Sequence, residues 1–291
     1  MKITFCISIF LMFVFTSGYS PSSYLANKTK RTTIFSQAFD EMKFQQDIPG
    51  RKGKMVTLDY YFNHEMRMDK SGKSVQTHYL WEEKDNGGYS TFGDIFHKYG
   101  MQTNSLEVAP TLENLKNSAI YIIVDPDDER ESEHPNYINA DDINAIYSWV
   151  KKGGVLLLFG NDSANVEFTH FNHLVARFGI QFNFDCINKE VGNNFEMAKI
   201  DIAPGNVIFK DVKKVYIKEY SSLTVNPPAK TILKEGNINV AAVAKIGKGT
   251  VFAVGDPWFY NEYTDGKKLP PDFQNYQAAE DLVKWAIEQT K

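Results

Sequence analysis

Two uninterrupted apolar runs, Ala119 to Val124 (AIYIIV) and Val155 to Phe159 (VLLLF), constrain this chain more than any other feature. A strand with water on one face alternates apolar and polar residues, so runs without polar interruption belong to strands covered on both faces. Between them lies a segment of helical period. Ile143, Ile146, Tyr147 and Val150 share one face, Asn139 stands at the capping position, and Asp141 and Asp142 favour the positive end. Lys151, Lys152, Gly153 and Gly154 close it. Strand, helix and strand in this order need a crossover, and a crossover leaves the strands parallel. The expected fold class is α/β: a doubly wound, mostly parallel sheet with helices on both faces.

Further elements fit the same rhythm. Val56 to Tyr61 and Thr103 to Val108 are expected as strands, Tyr89 to Tyr99 and Phe168 to Phe178 as helices, and Leu112 to Lys116 as a short helix. From Ile180 to Thr224 the pattern turns to extended pieces, which predicts a β-rich excursion covering the sheet edge or overhanging a site. Val240 to Lys245 and Thr250 to Val254 predict a closing antiparallel hairpin, and Phe273 to Gln289 a C-terminal helix.

The amino end carries a different signal. Met1 and Lys2 precede an apolar run from Ile3 to Phe15, which ends in Thr16, Ser17 and Gly18. Basic start, apolar middle and small-residue end make residues 1–18 a secretory signal peptide, and the protein is expected to be periplasmic or secreted. The run is roughly 13 residues against the ~20 needed to span a bilayer, so no membrane span is expected. Residues 19–54 are polar and are expected to form a mobile leader, with one helix around Ser36 to Met42; 55–291 then form a single α/β domain. With Cys6 in the signal, Cys186 stands alone and no intrachain disulfide can form. A net charge of -4 offers no basic field for a phosphate backbone, and nucleic acid is not an expected partner.

In open α/β sheets, ligands bind beyond the carboxyl ends of the strands. Those positions are polar here: Asn63, His64 and Glu65; Asp125 and Asp127; Asn161, Asp162 and Ser163; Asp256, Trp258, Tyr260, Asn261 and Glu262. Asp and Asn also cap helices and tie turns, but four polar strand ends together point to a site. The first long loop adds His78, Trp81, Glu82, Lys84, Asp85 and Asn86. Aromatic faces beside carboxylates and amides suit a sugar, whose C–H face stacks while its hydroxyls pair, and Trp81, Trp258 and Tyr260 are the candidate platform. Asp127, Asp162 and Asp256 are the candidate catalytic carboxylates, with Glu262 behind them, since glycoside cleavage needs two carboxyls about 5 to 9.5 Å apart.

Other chemistries lack their motifs. No nucleophile elbow follows a strand, and Gly160-Asn161-Asp162-Ser163-Ala164 puts Asp where a Ser or Cys nucleophile would stand. No phosphate-binding loop and no G-x-G-x-x-G occurs, so no cofactor is indicated. A divalent metal stays open, because His64, His78, Asp125, Asp127, Asp162 and Asp256 could converge, but none shows the i, i+4 spacing of a zinc helix.

Several strings resemble a known family: LDYYFNHE (58–65), THYLWEEKDNGGYSTFG (77–93), YIIVDPDDERESEHPNYI (121–138), WVKKGGVLLLFGNDSANVEFTHFN (149–172), GNNFEMAKI (192–200) and KGTVFAVGDPWFYNEY (248–263). They are similar to a domain appended to bacterial unsaturated rhamnogalacturonyl and glucuronyl hydrolases, whose fold resembles class I glutamine amidotransferases and is flavodoxin-like. The resemblance implies an exported accessory protein of pectin-type polysaccharide use, with a uronic oligosaccharide as ligand and an unsaturated rhamnogalacturonyl hydrolase as partner. It implies no mechanism, since uronide cleavage in that family belongs to a separate toroid domain and Asp162 stands where the amidotransferase Cys would be. Two other readings remain: a glycoside hydrolase using paired Asp residues, and a non-catalytic module that binds a protein.

Overall fold

The computed structural model describes residues 54–290. The signal peptide, the leader and its helix around Ser36 to Met42 lie outside the described residues. In chain order the elements are β1 (Met55–Asp59), β2 (Met66–Met68), β3 (Ser74–Gln76), α1 (Ser90–Lys98), β4 (Gln102–Leu106) and β5 (Ser118–Val124). Then come α2 (Ala140–Lys151), β6 (Val155–Phe159), α3 (Phe168–Val175), β7 (Ile180–Phe182), β8 (Lys199–Asp201), β9 (Lys214–Tyr216) and β10 (Leu223–Val225). The last are β11 (Lys230–Glu235), β12 (Ile238–Ile246), β13 (Gly249–Val254), α4 (Asn261–Thr264) and α5 (Asn275–Gln289).

Seven strands form one sheet in the order β11-β12-β13-β6-β5-β1-β4. Neighbours from β13 to β4 are all parallel, and β12 is antiparallel to both of its neighbours. The fold is α/β with a mostly parallel sheet. The uninterrupted runs are buried as their composition requires: every residue of β6 is inaccessible, as are the last five of β5. On one face Tyr121, Ile123, Leu156 and Leu158 pack against Ile146 and Val150 of α2 and Phe171 and Leu174 of α3. On the other, Phe159 meets Phe92 of α1 at 6.2 Å between ring centres, and Phe252 meets Trp285 of α5 at 6.1 Å.

The boundaries follow local chemistry. Asn139 accepts from the Asp141 and Asp142 amides, and Asp142 accepts from the Asn139 amide in return, which closes a capping box at the start of α2. After α3 a short 3-10 turn runs to Gly179, whose φ of 79° lies in the left-handed region; a Cβ there would sit 2.3 Å from the Asn226 carbonyl oxygen. The expected helix at Leu112 to Lys116 is instead a series of turns, although the Thr111 hydroxyl accepts from the Asn114 amide at 3.1 Å as a helix cap would. The expected strand at Thr103 to Val108 lies nearer the amino end, as β4. Strand β11 was not expected; it is an edge strand whose Lys230, Lys234 and Glu235 hide its period. The expected closing hairpin forms as β12 and β13, but β13 does not end the sheet: it lies between β12 and β6, with Thr250 opposite Val155 and Val254 opposite Phe159.

Two two-stranded ribbons, β7–β10 and β8–β9, make up the β-rich excursion, and a third, β2–β3, leaves the main sheet after β1. The chain passes from β1 to β4 on one side of β1 and then to β5 on the other. The carboxyl ends of β1 and β5 therefore flank the topological switch point, where open sheets leave a crevice.

Candidate functional site

The switch point is cross-linked from both sides. Asn63 Nδ2 donates to the Asp125 carbonyl at 2.9 Å, the Asp127 amide donates to the Phe62 carbonyl at 3.0 Å, and the His64 amide donates to Asp127 Oδ2 at 2.7 Å. At the end of β5 the backbone of Asp125 is left-handed, with φ 45°. Asp125 Oδ2 accepts from Tyr79 Oη at 2.7 Å and from Asn161 Nδ2 at 2.8 Å. One carboxyl thus joins the ends of β5 and β6 to the loop before α1. His78 and Tyr79 are also left-handed, with φ of 63° and 54°. Each such residue costs about 1 to 3 kcal/mol, and strain of this kind persists where the surroundings hold it, commonly at functional sites.

The carboxyls here are held in unusual states. Asp125 is 2% exposed and Asp127 1% exposed, and Asp125 Oδ1, Asp127 Oδ1 and Glu131 Oε2 are buried without a hydrogen-bond partner among the described residues. Burial pushes Asp127 up to about 8, against the pull of the His64 amide, and the charges of Glu65 and Asp125 add to the rise. Burial also raises Asp125, although Asn161 and Tyr79 donate to it. Glu131 rises for the same reason, with the fields of Asp125, Glu65 and Asp127 behind burial. Neighbouring His78 sits 2.7 Å from Glu65 Oε1 through Nδ1, and that hydrogen bond raises the imidazole pKa.

A second buried carboxyl follows β13. Asp256 is 2% exposed, its Oδ2 has no partner among the described residues, and burial raises it well above the usual range against the nearby Lys218 ammonium. The charges of Asp125 and Asp162 reach it as well. Tyr260, half-buried, lies 6.0 Å from Tyr79 between ring centres and connects the two regions. Lys218 pairs with Glu219 at 3.1 Å, and Glu219 is itself left-handed with φ 48°.

Asn63, His64, His78, Asp125, Asp127, Asn161, Asp256 and Tyr260 therefore occur along one sheet edge, as the strand-end rule predicts. Other expected residues have different work. Asp162 is a turn holder: its Oδ1 accepts from the Ala164 amide and its Oδ2 from Asn165 Nδ2. The tryptophans are not a platform. Trp81 is 8% exposed, packed by Tyr89, Phe92 and Phe96, with Nε1 donating to the Asn104 carbonyl; Trp258 is 0% exposed, 4.0 Å from the Phe259 ring centre. Neither has a face open to a sugar. Asn261 is a buried clamp that donates to the Glu83 and Asp85 carbonyls and accepts from the Thr91 amide. Glu262 pairs with Lys268 at 2.7 Å, while Lys84 and Asn86 lie exposed on the loop.

Sequence reasoning missed Tyr79, Glu131 and Lys218. Glu131 stands in the acidic run 127–133, which reads as a solvated loop, yet its carboxyl is turned towards Asp125 and Asp127. Among the described residues no three His, Cys, Asp or Glu side chains are placed to hold a metal ion. The arrangement can donate and accept hydrogen bonds at several points, since each raised carboxyl is an O–H donor when neutral and an acceptor when charged.

No protein-family model matches the chain, and no curated protein matches it. Solved structures do. The mmIFT52 N-terminal domain matches with a TM-score of 0.59 at 16% identity, over 79% of this chain and 96% of that one. Cytoplasmic protein STM3548 from Salmonella typhimurium matches with a TM-score of 0.52 at 13% identity, over 81% and 98%. At these identities the likeness is one of fold alone.

Proposed function

We propose that the protein recognises hydroxyl-rich oligosaccharides, uronic ones among them, at the carboxyl edge of its sheet, as an exported accessory protein of polysaccharide use. One observation carries this reading: Asp125, Asp127, Glu131 and Asp256 each keep a buried carboxyl oxygen without a partner among the described residues. An unpaired buried polar group costs about 1 to 3 kcal/mol, so hydroxyls that reach these oxygens would be favoured there. Charge follows from the raised pKa values. At neutral pH the site is less negative than its composition, and neutral carboxyls can donate to the carboxylate of a uronic sugar.

The resemblance of the strand-end strings to the domain of unsaturated rhamnogalacturonyl hydrolases supports pectin-type ligands and a hydrolase partner. The parallel sheet with polar groups at its switch point supports kinship with flavodoxin-like and class I amidotransferase-like folds. Titration calorimetry with an unsaturated rhamnogalacturonan disaccharide, with a neutral galacto-oligosaccharide beside it, tests the reading. Binding that strengthens from pH 8 to pH 6 for the uronic ligand and weakens tenfold or more in Asp125→Asn is the expected result. Absence of binding by both sugars at either pH would sink it.

A second reading has its own support. Asp127, pushed up to about 8 by burial with the charges of Glu65 and Asp125 adding to the rise, would be protonated at neutral pH, as the acid of glycoside cleavage must be. Product formed from the same disaccharide and abolished by Asp127→Asn would establish a hydrolase; binding without product would leave a recognition protein.

A further inference from the structure

The opposite edge of the sheet carries the opposite charge. A hollow of about 360 Å³ is lined there by Lys54, Lys116 and Lys152 together with Leu112, Ser118, Trp149, Gly153, Gly154 and Thr290. A second, of about 440 Å³, is lined by Ser148, Lys151, Lys152 and Lys248. Lys152 belongs to both, so five lysines surround adjoining hollows, and no carboxylate lines either. This happens in a chain whose net charge is -4.

Lysines near a helix end often serve the helix dipole. Here the last carbonyls of α2 already have backbone donors: the Gly153 amide to Val150, the Gly154 amide to Trp149 and the Lys248 amide to Lys151. Lys54 is fixed by the Thr290 carbonyl at 2.9 Å, which places its charge at the rim of the first hollow. Lys116 pairs with Glu113 outside the lining, while no carboxylate among the described residues pairs with Lys151, Lys152 or Lys248. Three cations are therefore left to meet an external anion.

We infer that this amino-edge face binds an acidic polysaccharide, a chain bearing spaced carboxylate or sulfate groups. Shape favours that partner over other polyanions. Hollows of this size admit a sugar ring but not a bilayer surface, and a duplex needs a continuous basic stripe rather than two concavities. The inference uses none of the carboxyl-edge residues, and because the proposed cleft also takes uronic sugars, it is the loss of binding in the lysine variants that separates the two.

Affinity electrophoresis of the full chain in gels containing polygalacturonate, dextran sulfate or neutral dextran tests it, with Lys151→Gln/Lys152→Gln/Lys248→Gln beside the wild type. Retardation by at least one of the acidic polymers and not by neutral dextran is expected, and which acidic polymer acts tells carboxylate from sulfate recognition. At about fivefold per lost surface contact, the triple variant should bind about a hundredfold more weakly. If that variant does not melt like the wild type, Lys152→Gln alone, which touches both hollows, should show the fivefold loss. The inference is overturned by a wild type that migrates freely in both acidic gels, by a variant retarded as strongly as the wild type, or by tighter binding to duplex DNA or phosphatidylglycerol vesicles.

Discussion

At the scale of single residues, Asp125 and Tyr79 decide how the carboxyl edge is organised. Tyr79→Phe removes one of the two donors to a carboxyl that is 2% exposed, and should cost about 1 to 3 kcal/mol in urea unfolding. Trp81→Ala should cost about 3 to 5 kcal/mol, the range for emptying a packed aromatic site, and should leave ligand affinity unchanged if the same titration is run on the folded variant. These two substitutions separate what was legible in the sequence from what was not. Asp125 could be found because it follows an uninterrupted strand, and every such position lies at the carboxyl edge. Tyr79 could not, because it reaches Asp125 from a loop 46 residues away through two left-handed residues that carry no glycine signal. Trp81 and Trp258 misled for a related reason: aromatic residues beside carboxylates look alike in sequence whether they face a ligand or fill a core.

At the scale of elements, local chemistry was the better guide. The capping box of α2 uses only Asn139 and Asp142, so it can be read without knowing the fold; Asn139→Ala should lower stability by about 1 kcal/mol in thermal or urea unfolding. Gly179→Ala tests the other kind of boundary. It forces a side chain onto a φ of 79° and against the Asn226 carbonyl, and should destabilise by more than the ~1 kcal/mol typical of a glycine replacement in a compatible site. The strands escaped prediction where tertiary pairing replaced pattern. β11 has lysines and a glutamate where a strand period would be looked for, and it forms because β12 offers it an edge. Hairpin β2–β3 has exposed Met66 and Met68, with side chains that report no buried face.

At the scale of the whole molecule, the buried carboxyls make stability depend on pH. Asp59, Asp125, Asp127 and Glu131 all have folded pKa values raised above those of the unfolded chain, with Asp59 at about 7 and Asp127 at about 8. Between the ordinary carboxylate range and those values the folded state binds more protons than the unfolded one. Stability should therefore fall as pH rises from about 4 to about 9, with the loss complete once the last of these groups, Glu131, ionises in the folded state. Melting temperature measured across that range should decline, and Asp127→Asn should flatten the decline; a rising curve would contradict the assignment. The position of β13 carries a different consequence, one of order in time. Its backbone fills the place between β6 and β12, so residues 55 to 159 can pair four strands but leave the VLLLF strand with a bare edge until a segment almost ninety residues later arrives. A chain stopped short of β13 would expose that edge to other copies of itself, and the hairpin that completes the sheet is also its protection from aggregation.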